Sequence, residues 1–152
     1  MARAEGYKVE IVIVADDVAL SESKRGLAGT VLVHKIAGAA AAQGESLENV
    51  KKVAEQVINK IGTYGVGLGP CIIPAAGKPN FQLEEDEIEL GLGIHGEPGV
   101  KKIKLPKVSE LVNQMISSLV SSLSIQRSSD IALLVNGLVS FLKLLFTFCI
   151  IT

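Results

Sequence analysis

The chain has 152 residues, which is the length of one globular domain and excludes a multidomain protein. Hydrophobic residues make up 48% and charged residues 20%, so there is material for a buried core, and the composition typical of disorder is excluded. With a formal net charge of -1, 4% aromatic residues and no tryptophan, the chain lacks the clustered cations and stacking rings of a nucleic-acid binder. A small molecule or another protein is the expected partner.

The N-terminal sequence MARAEGYKVE carries charges where a signal peptide needs its apolar stretch, which predicts a cytoplasmic protein. Cys71 and Cys149 are expected to be reduced core residues, with a disulfide as the less favoured alternative. A zinc site would need His34 and His95 as further ligands, and their spacing does not resemble that of a zinc finger. We therefore expect no metal in this chain.

The first half of the chain predicts a strand followed by two helices. Residues 9–14, VEIVIV, form a continuous apolar run typical of a parallel strand that is covered on both faces. A polar loop over 21–29 precedes an alanine-rich helix over 30–43. Ser46 can cap a second amphipathic helix, which we expect to end at Gly62.

The second half predicts further strands around one more helix. Residues 65–76 indicate a strand that runs into a loop, and residues 87–94 alternate strictly, as in a half-buried strand. Residues 100–105 indicate another strand, and a third helix is expected from Ser109 through Leu123. A last strand over residues 131–135 is followed by a turn at Asn136-Gly137. Strands that alternate with helices define an α/β class.

A glycine motif, G-x-G-x-x-G, spans residues 91–96. A dinucleotide site requires this motif to open a helix, and Pro98-Gly99 directly after it cannot continue one. Gly77-Lys78-Pro79 lacks the Ser or Thr and the first glycine of a phosphate-binding loop. We therefore expect the chain alone to bind no ATP.

His95 is the residue most suited to chemistry, because the period of two places its ring on the same face as Gly91 and Gly93. Glycines inside a strand often mark the close approach of a ligand. A histidine in an ordinary loop is the alternative that spacing alone favours. His34 is expected to be a partly buried helix residue.

Asp16 and Asp17 follow the predicted strand over 9–14, in the region where α/β proteins place their sites. From the sequence alone, solvated or capping carboxylates are the favoured interpretation of this pair.

Five blocks of the chain form a pattern: DDVAL (16–20), RGLAGTVLVHKIAGAAAAQG (25–44), PCIIPAAGKPNF (70–81), ELGLGIHGEPG (89–99) and ALLVNGL (132–138). Taken in this order, they resemble the K domain of dihydroxyacetone kinases. The resemblance covers nearly all of residues 4–138 and implies a partial K-domain fold. The GIHGEPG and PAAGKP motifs are its most specific parts.

The resemblance implies that His95 adds to the ketone carbon of dihydroxyacetone, or of a related short ketose or aldose, and forms a hemiaminal. Gly91, Gly93 and Gly96 are then expected to line the substrate site, and Glu97 either orients the ring or is a solvated loop carboxylate. It also implies a glycerone kinase lineage in which ATP and Mg²⁺ are held by a separate L domain or subunit. A homodimer is expected, and no membrane partner.

The sequence departs from the K-domain pattern at both ends. The family's glycine loop and a second segment, which supply a further His and Asp to the substrate, do not occur here. Residues 139–152, VSFLKLLFTFCIIT, form a divergent apolar tail after a partial K domain over 1–138. We expect this tail to pack poorly or to form a lone apolar helix, with a membrane-spanning helix less favoured. The alternative function is an inactive, truncated homologue that binds a partner or dimerises.

Overall fold

The computed structural model describes residues 1–20, 24–70, 82–94, 97–140 and 143–152. Within this part of the chain, α-helices pack on a five-stranded sheet. The helices are α1 (Gly29–Ala42), α2 (Leu47–Ile58) and α3 (Val108–Ser122), after a short 3-10 helix at Ala2–Glu5. The strands are β1 (Ile61–Gly67), β2 (Glu87–Leu90), β3 (Lys101–Lys104), β4 (Ala132–Ser140) and β5 (Lys143–Ile151).

The sheet has the strand order β3-β2-β1-β5-β4, and each of these neighbouring pairs is antiparallel. The predicted mixture of helices and strands is confirmed. The interpretation of residues 9–14 as a strand of a parallel sheet is wrong. Among the described residues, parallel pairing is limited to an isolated bridge between Asp17 and Thr63.

All three predicted helices form, because their signals are local. Ser46 caps α2 through its Oγ, which accepts a hydrogen bond from Asn49 N at 3.2 Å. Helix α2 ends at Ile58 instead of Gly62, because Gly62 already belongs to β1. Helix α3 buries Leu111, Met115 and Leu119 at a spacing of four residues.

Two clusters of buried side chains form the core. The larger one joins α3 to the sheet and contains Tyr64, Val66, Ile88, Leu90, Leu111, Met115, Leu119 and Ile150. The smaller one lies between α1, α2 and the start of β1 and contains Val33, Ala54, Val57 and Ile61. Burial of these side chains, at about 25 cal/mol per Å² of apolar surface, is the main stabilising contribution.

Residues 9–14 do not form the predicted strand. The segment is irregular, although Val12 and Val14 pack on the smaller cluster while Ile11 and Ile13 are 69% and 77% exposed. Alternating burial is therefore present without a strand ladder, because a ladder depends on a partner strand that local sequence does not specify.

Strand β2 is shorter and more buried than its alternation predicts. It ends at Leu90 because Gly91 adopts a left-handed φ of 72°. Strict alternation places Glu89 with the polar residues of the open face and Ile94 with the apolar residues of the buried face. In the structure Glu89 is buried and Ile94 is 43% exposed. The half-buried interpretation of residues 87–94 is wrong.

The apolar tail forms β5, which lies between β1 and β4, so the prediction of a lone helix is wrong. Ile150 near its end is buried in the larger cluster. The predicted turn at Asn136-Gly137 is also wrong, because both residues pair with β5 within the β4 ladder. Among the described residues, no helix has the length and apolar character needed to cross a membrane.

Candidate functional site

The two consecutive carboxylates Asp16 and Asp17 are buried, with 3% and 0% of their surface exposed. They lie beside β1, where Thr63 N donates to Asp16 O at 2.6 Å and Val18 N donates to Thr63 O at 2.9 Å. The solvated interpretation of this pair is wrong. Buried carboxylates require polar partners, and the two residues find different ones.

Asp16 caps helix α1 from a distant point in the chain. Its Oδ1 accepts a hydrogen bond from Leu27 N at 2.6 Å, and its Oδ2 accepts one from Gly29 N at 2.8 Å. Thr63 Oγ1 donates a short hydrogen bond to the same Oδ2. The capping interpretation is thus confirmed for Asp16, which joins the start of α1 to β1.

Asp17 forms an ion pair with Arg25. The Oδ2 atom of Asp17 accepts hydrogen bonds from Arg25 Nε at 2.9 Å and from Nη2 at 2.6 Å. Its Oδ1 accepts a further bond from Ala19 N at 2.9 Å. The two side chains are 0% and 19% exposed, so solvent screens the pair little.

Arg25 also binds the backbone on both sides of residues 95 and 96. Its Nη2 donates to Gly91 O at 2.6 Å, and its Nη1 donates to Pro98 O at 3.1 Å and to Glu97 O at 3.4 Å. His95 and Gly96 themselves lie outside the described residues. Arg25 therefore joins the buried Asp17 to both described flanks of the GIHGEPG motif.

The two predicted site glycines that are described, Gly91 and Gly93, lie against this arginine. A Cβ atom on Gly93 would overlap the Glu97 carboxylate and would lie 2.8 Å from Arg25 Nη1. Gly93 N also donates to Glu97 O at 3.0 Å. The space beside Gly93 is thus occupied by charged groups of the chain itself, and Glu97 is only partly exposed. The space beside Gly91 is occupied by the apolar side chains of Ala19 and Val100.

Further hydrogen bonds hold the rest of this loop on the sheet. Gly91 N donates to Gly65 O at 2.7 Å, and Val100 N donates to Leu90 O at 2.8 Å. The buried carboxylate of Glu89 accepts a bond from Gly99 N at 2.7 Å. The described residues on either side of positions 95 and 96 are therefore attached to the sheet, Gly91 to β1 and residues 99–100 to β2.

Tyr64, a buried residue of the larger core cluster, has a raised pKa. Burial raises the pKa of its phenol, because the charged phenolate is poorly solvated in the core. A hydrogen bond with Gln114 acts in the opposite direction, and the charge of Asp17 raises the pKa further. The phenol of Tyr64 therefore stays neutral at physiological pH.

His34 lies away from this loop, on the exposed side of α1, so the prediction of a partly buried residue is wrong. It lines a cavity of about 330 Å³ together with Glu10 and Lys51, which form an ion pair at 2.8 Å. Across the described ranges, no group of three His, Cys, Asp or Glu residues could hold a metal ion. Cys71 and the PAAGKP motif lie outside those ranges.

Sequence reasoning missed Arg25, which it placed in a polar loop. The available signal was a lone arginine a short distance after two carboxylates that end an apolar run. Burial of Asp17, which makes this arginine necessary, depends on long-range packing that the local sequence does not reveal.

The class of protein follows from a family match: residues 1–150 match the Dak1 domain, so the chain belongs to the Dak1 family. The chain is 46% identical over 143 residues to the PTS-dependent dihydroxyacetone kinase 1, dihydroxyacetone-binding subunit DhaK, of Listeria innocua. It is 45% identical over 154 residues to the human triokinase/FMN cyclase. These matches cover 91% and 94% of the chain but only 44% and 27% of the relatives, so the chain spans less than half of their length.

Solved structures give the same result. The dihydroxyacetone kinase operon co-activator Dha-DhaQ matches with a TM-score of 0.89 and 26% identity, over 99% of this chain and 59% of the co-activator. The dihydroxyacetone kinase of C. freundii in its native form matches with a TM-score of 0.85 and 28% identity, over 99% of this chain and 34% of that one.

Proposed function

We propose that this chain is the substrate-binding part of a dihydroxyacetone kinase and that His95 captures the ketone as a covalent hemiaminal. The main support for this proposal is that both flanks of the GIHGEPG motif are hydrogen-bonded to Arg25, which forms a buried ion pair with Asp17. The chain also belongs to the Dak1 family. Such attachment suits a reactive side chain, because a nucleophile must be held in place to react efficiently. Gly91, Gly93 and Gly96 belong to the proposed substrate site.

The proposed capture is an addition in which nothing leaves. The unprotonated ring nitrogen of His95 attacks the ketone carbon, and the electron pair of the C=O bond moves to the oxygen, which takes up a proton. The other ring nitrogen releases its proton, so the adduct contains all the atoms of dihydroxyacetone. Glycerol has no carbonyl group and cannot react in this way, so the bond selects ketones over polyols.

Phosphoryl transfer to the captured substrate belongs to a second protein unit in this proposal. ATP and Mg²⁺ would be held by an L domain or subunit, which would supply charge neutralisation and alignment of the phosphate. This chain would contribute substrate binding and no nucleotide site. The proposed compartment is the cytosol, and the proposed assembly includes a homodimer.

The capture is tested with ketone-labelled [2-¹³C]dihydroxyacetone and native mass spectrometry. We expect a protein adduct with the full mass of dihydroxyacetone, without loss of water, and none with glycerol. The adduct should be strongest after the chain is extended by the N-terminal part of a full-length relative, since the resemblance places a further His and Asp there. His95→Ala should abolish it.

The matched control is His34→Ala, which removes an exposed imidazole on α1 and should leave the adduct unchanged. An adduct that survives His95→Ala, or an extended wild-type protein that forms none, contradicts the proposed role of His95.

The second candidate is a partner-binding module, which the two edges of the sheet favour. Edge strand β3 carries three lysines, a composition that discourages pairing with another strand. Edge strand β4 exposes Leu133 and Val135, at 47% and 56%, which invites pairing. A co-activator with the same fold is a precedent for a role outside catalysis.

If the chain is a partner-binding module, it should self-associate through β4, and the associated fraction should rise with protein concentration. The same chain should form no adduct with the ketone. Val135→Lys should convert the associated form to a monomer in sedimentation velocity experiments, because a charged edge resists pairing. Lys102→Ala on the opposite edge is the control and should not dissociate it. A wild-type chain that stays monomeric at high concentration contradicts this candidate.

A further inference from the structure

We infer that Arg25 is a positioning residue for the loop over residues 91–98, and that Asp17 acts by holding Arg25 in place. This inference rests on the proposed function of that loop. It assigns Arg25 no contact with the substrate. Its role would be to fix the distance between the two flanks of the segment that carries His95.

The geometry of the guanidinium group carries this inference. Two of its N–H groups, on Nε and Nη2, are directed at one oxygen of Asp17, which sets the plane of the group. The remaining donors then point at the backbone of the loop, to Gly91 O on one flank and to Pro98 O on the other. Three separate sites are thus joined by one rigid, planar side chain.

Burial makes this arrangement specific. Asp17 is fully buried, so a structure in which Arg25 turned into solvent would leave an unpaired carboxylate in the interior. Carbonyl groups that accept from a charged donor form stronger bonds than those that accept from a neutral one. Arg25 is therefore held in one position, and it holds the loop in turn.

Lysine cannot replace arginine in this role. Its ammonium group is a single nitrogen, whereas the acceptors around Arg25 are four oxygen atoms reached from three different nitrogen atoms. Lysine would keep the charge opposite Asp17 and lose one or both flanks of the loop. This difference separates positioning from simple charge compensation.

The test compares Arg25→Ala and Arg25→Lys in the full chain by amide hydrogen exchange, read at Gly93 and Gly99. The Gly93 amide donates to Glu97 O within the loop, and the Gly99 amide, directly after the loop, donates to Glu89 Oε1 on β2. We expect the exchange rate at these two amides to rise about tenfold in both variants. Exchange in α2 is the internal reference for a general loss of stability, and its rate should rise less. Millimolar guanidinium should restore protection in Arg25→Ala, because it can occupy the vacated site, and should have no effect on Arg25→Lys.

Adduct formation is measured on the same variants in the extended protein described above. It should become about tenfold slower without Arg25, because the nucleophile is held less precisely, and guanidinium should restore it in Arg25→Ala. Lys51→Ala is the matched control, since it removes an exposed ion pair with Glu10, and it should change neither readout.

The two proposals fail in different ways. If exchange at Gly93 and Gly99 rises no more than in α2, or if Arg25→Lys behaves as wild type, Arg25 does not position the loop. If the wild-type extended protein forms no adduct, the proposed function is wrong, and the exchange data still decide whether Arg25 holds the loop.

Discussion

Replacing Asp16 with alanine is expected to lower the free energy of unfolding by about 3 kcal/mol, because three buried donors would lose their acceptor. These donors are Leu27 N, Gly29 N and Thr63 Oγ1. The substitution also removes the cap of α1 and the link between that helix and β1. Urea unfolding followed by circular dichroism measures the effect.

Asp86→Ala is the control for Asp16→Ala. Asp86 is an exposed carboxylate that pairs with Lys104 at 3.3 Å, and its removal should hardly change the urea midpoint. A loss of less than about 1 kcal/mol for Asp16→Ala would mean that water replaces the carboxylate without difficulty. In that case Asp16 would not connect α1 to the sheet in the way its hydrogen bonds indicate.

Local sequence signals were sufficient for the helices and for one strand. Ser46 caps α2, alanine content favours α1, and the apolar spacing of α3 matches the face that it buries. Residues 100–105 contain β3 because a β-rich run is bounded there by Gly99 and Pro106. These features depend on neighbours within a few residues along the chain.

Pairing between distant strands could not be predicted in the same way. The run over 9–14 has the composition of a strand and lacks a ladder, while the apolar tail pairs with β1 and β4. Asn136-Gly137 is a strong turn signal in isolation, but its place in the β4 ladder overrides that preference. The partner of a strand is set by packing of the whole chain.

The candidate site shows the same division. The glycines around His95 were predicted as site residues from alternation and motif, since both are written in adjacent residues, and their role in the site stays a prediction. Arg25 was missed because its partners, Asp17, Gly91 and Pro98, lie far apart in sequence. Asp16 and Asp17 were interpreted as solvated or capping carboxylates; their burial beside β1, which the local sequence does not reveal, leaves the capping interpretation for Asp16 alone.

Replacing Gly91 with alanine is the second substitution with a large expected effect, about 3 kcal/mol of lost stability. Gly91 has a φ of 72°, a conformation that costs an L-residue roughly 1 kcal/mol. A Cβ atom there would lie 2.6 Å from the Cβ of Ala19, so the loop would have to move away from residues 17–20. That movement would also displace the Gly91 carbonyl from Arg25, so adduct formation in the extended protein should fall with stability.

Two other glycines separate the causes of this effect. Gly44 has a similar φ of 83° and open space around it, so Gly44→Ala measures backbone strain alone, at about 1 kcal/mol. Gly38 lies within α1 and also has open space, so Gly38→Ala should stabilise the chain by about 0.5–1 kcal/mol. The expected order of unfolding midpoints is therefore Gly38→Ala, wild type, Gly44→Ala and Gly91→Ala, from highest to lowest. If Gly91→Ala unfolds at the same urea concentration as Gly44→Ala, the contact between the new Cβ atom and Ala19 does not lower stability. The loop that begins at Gly91 would then not lie as close to residues 17–20 as the structure places it.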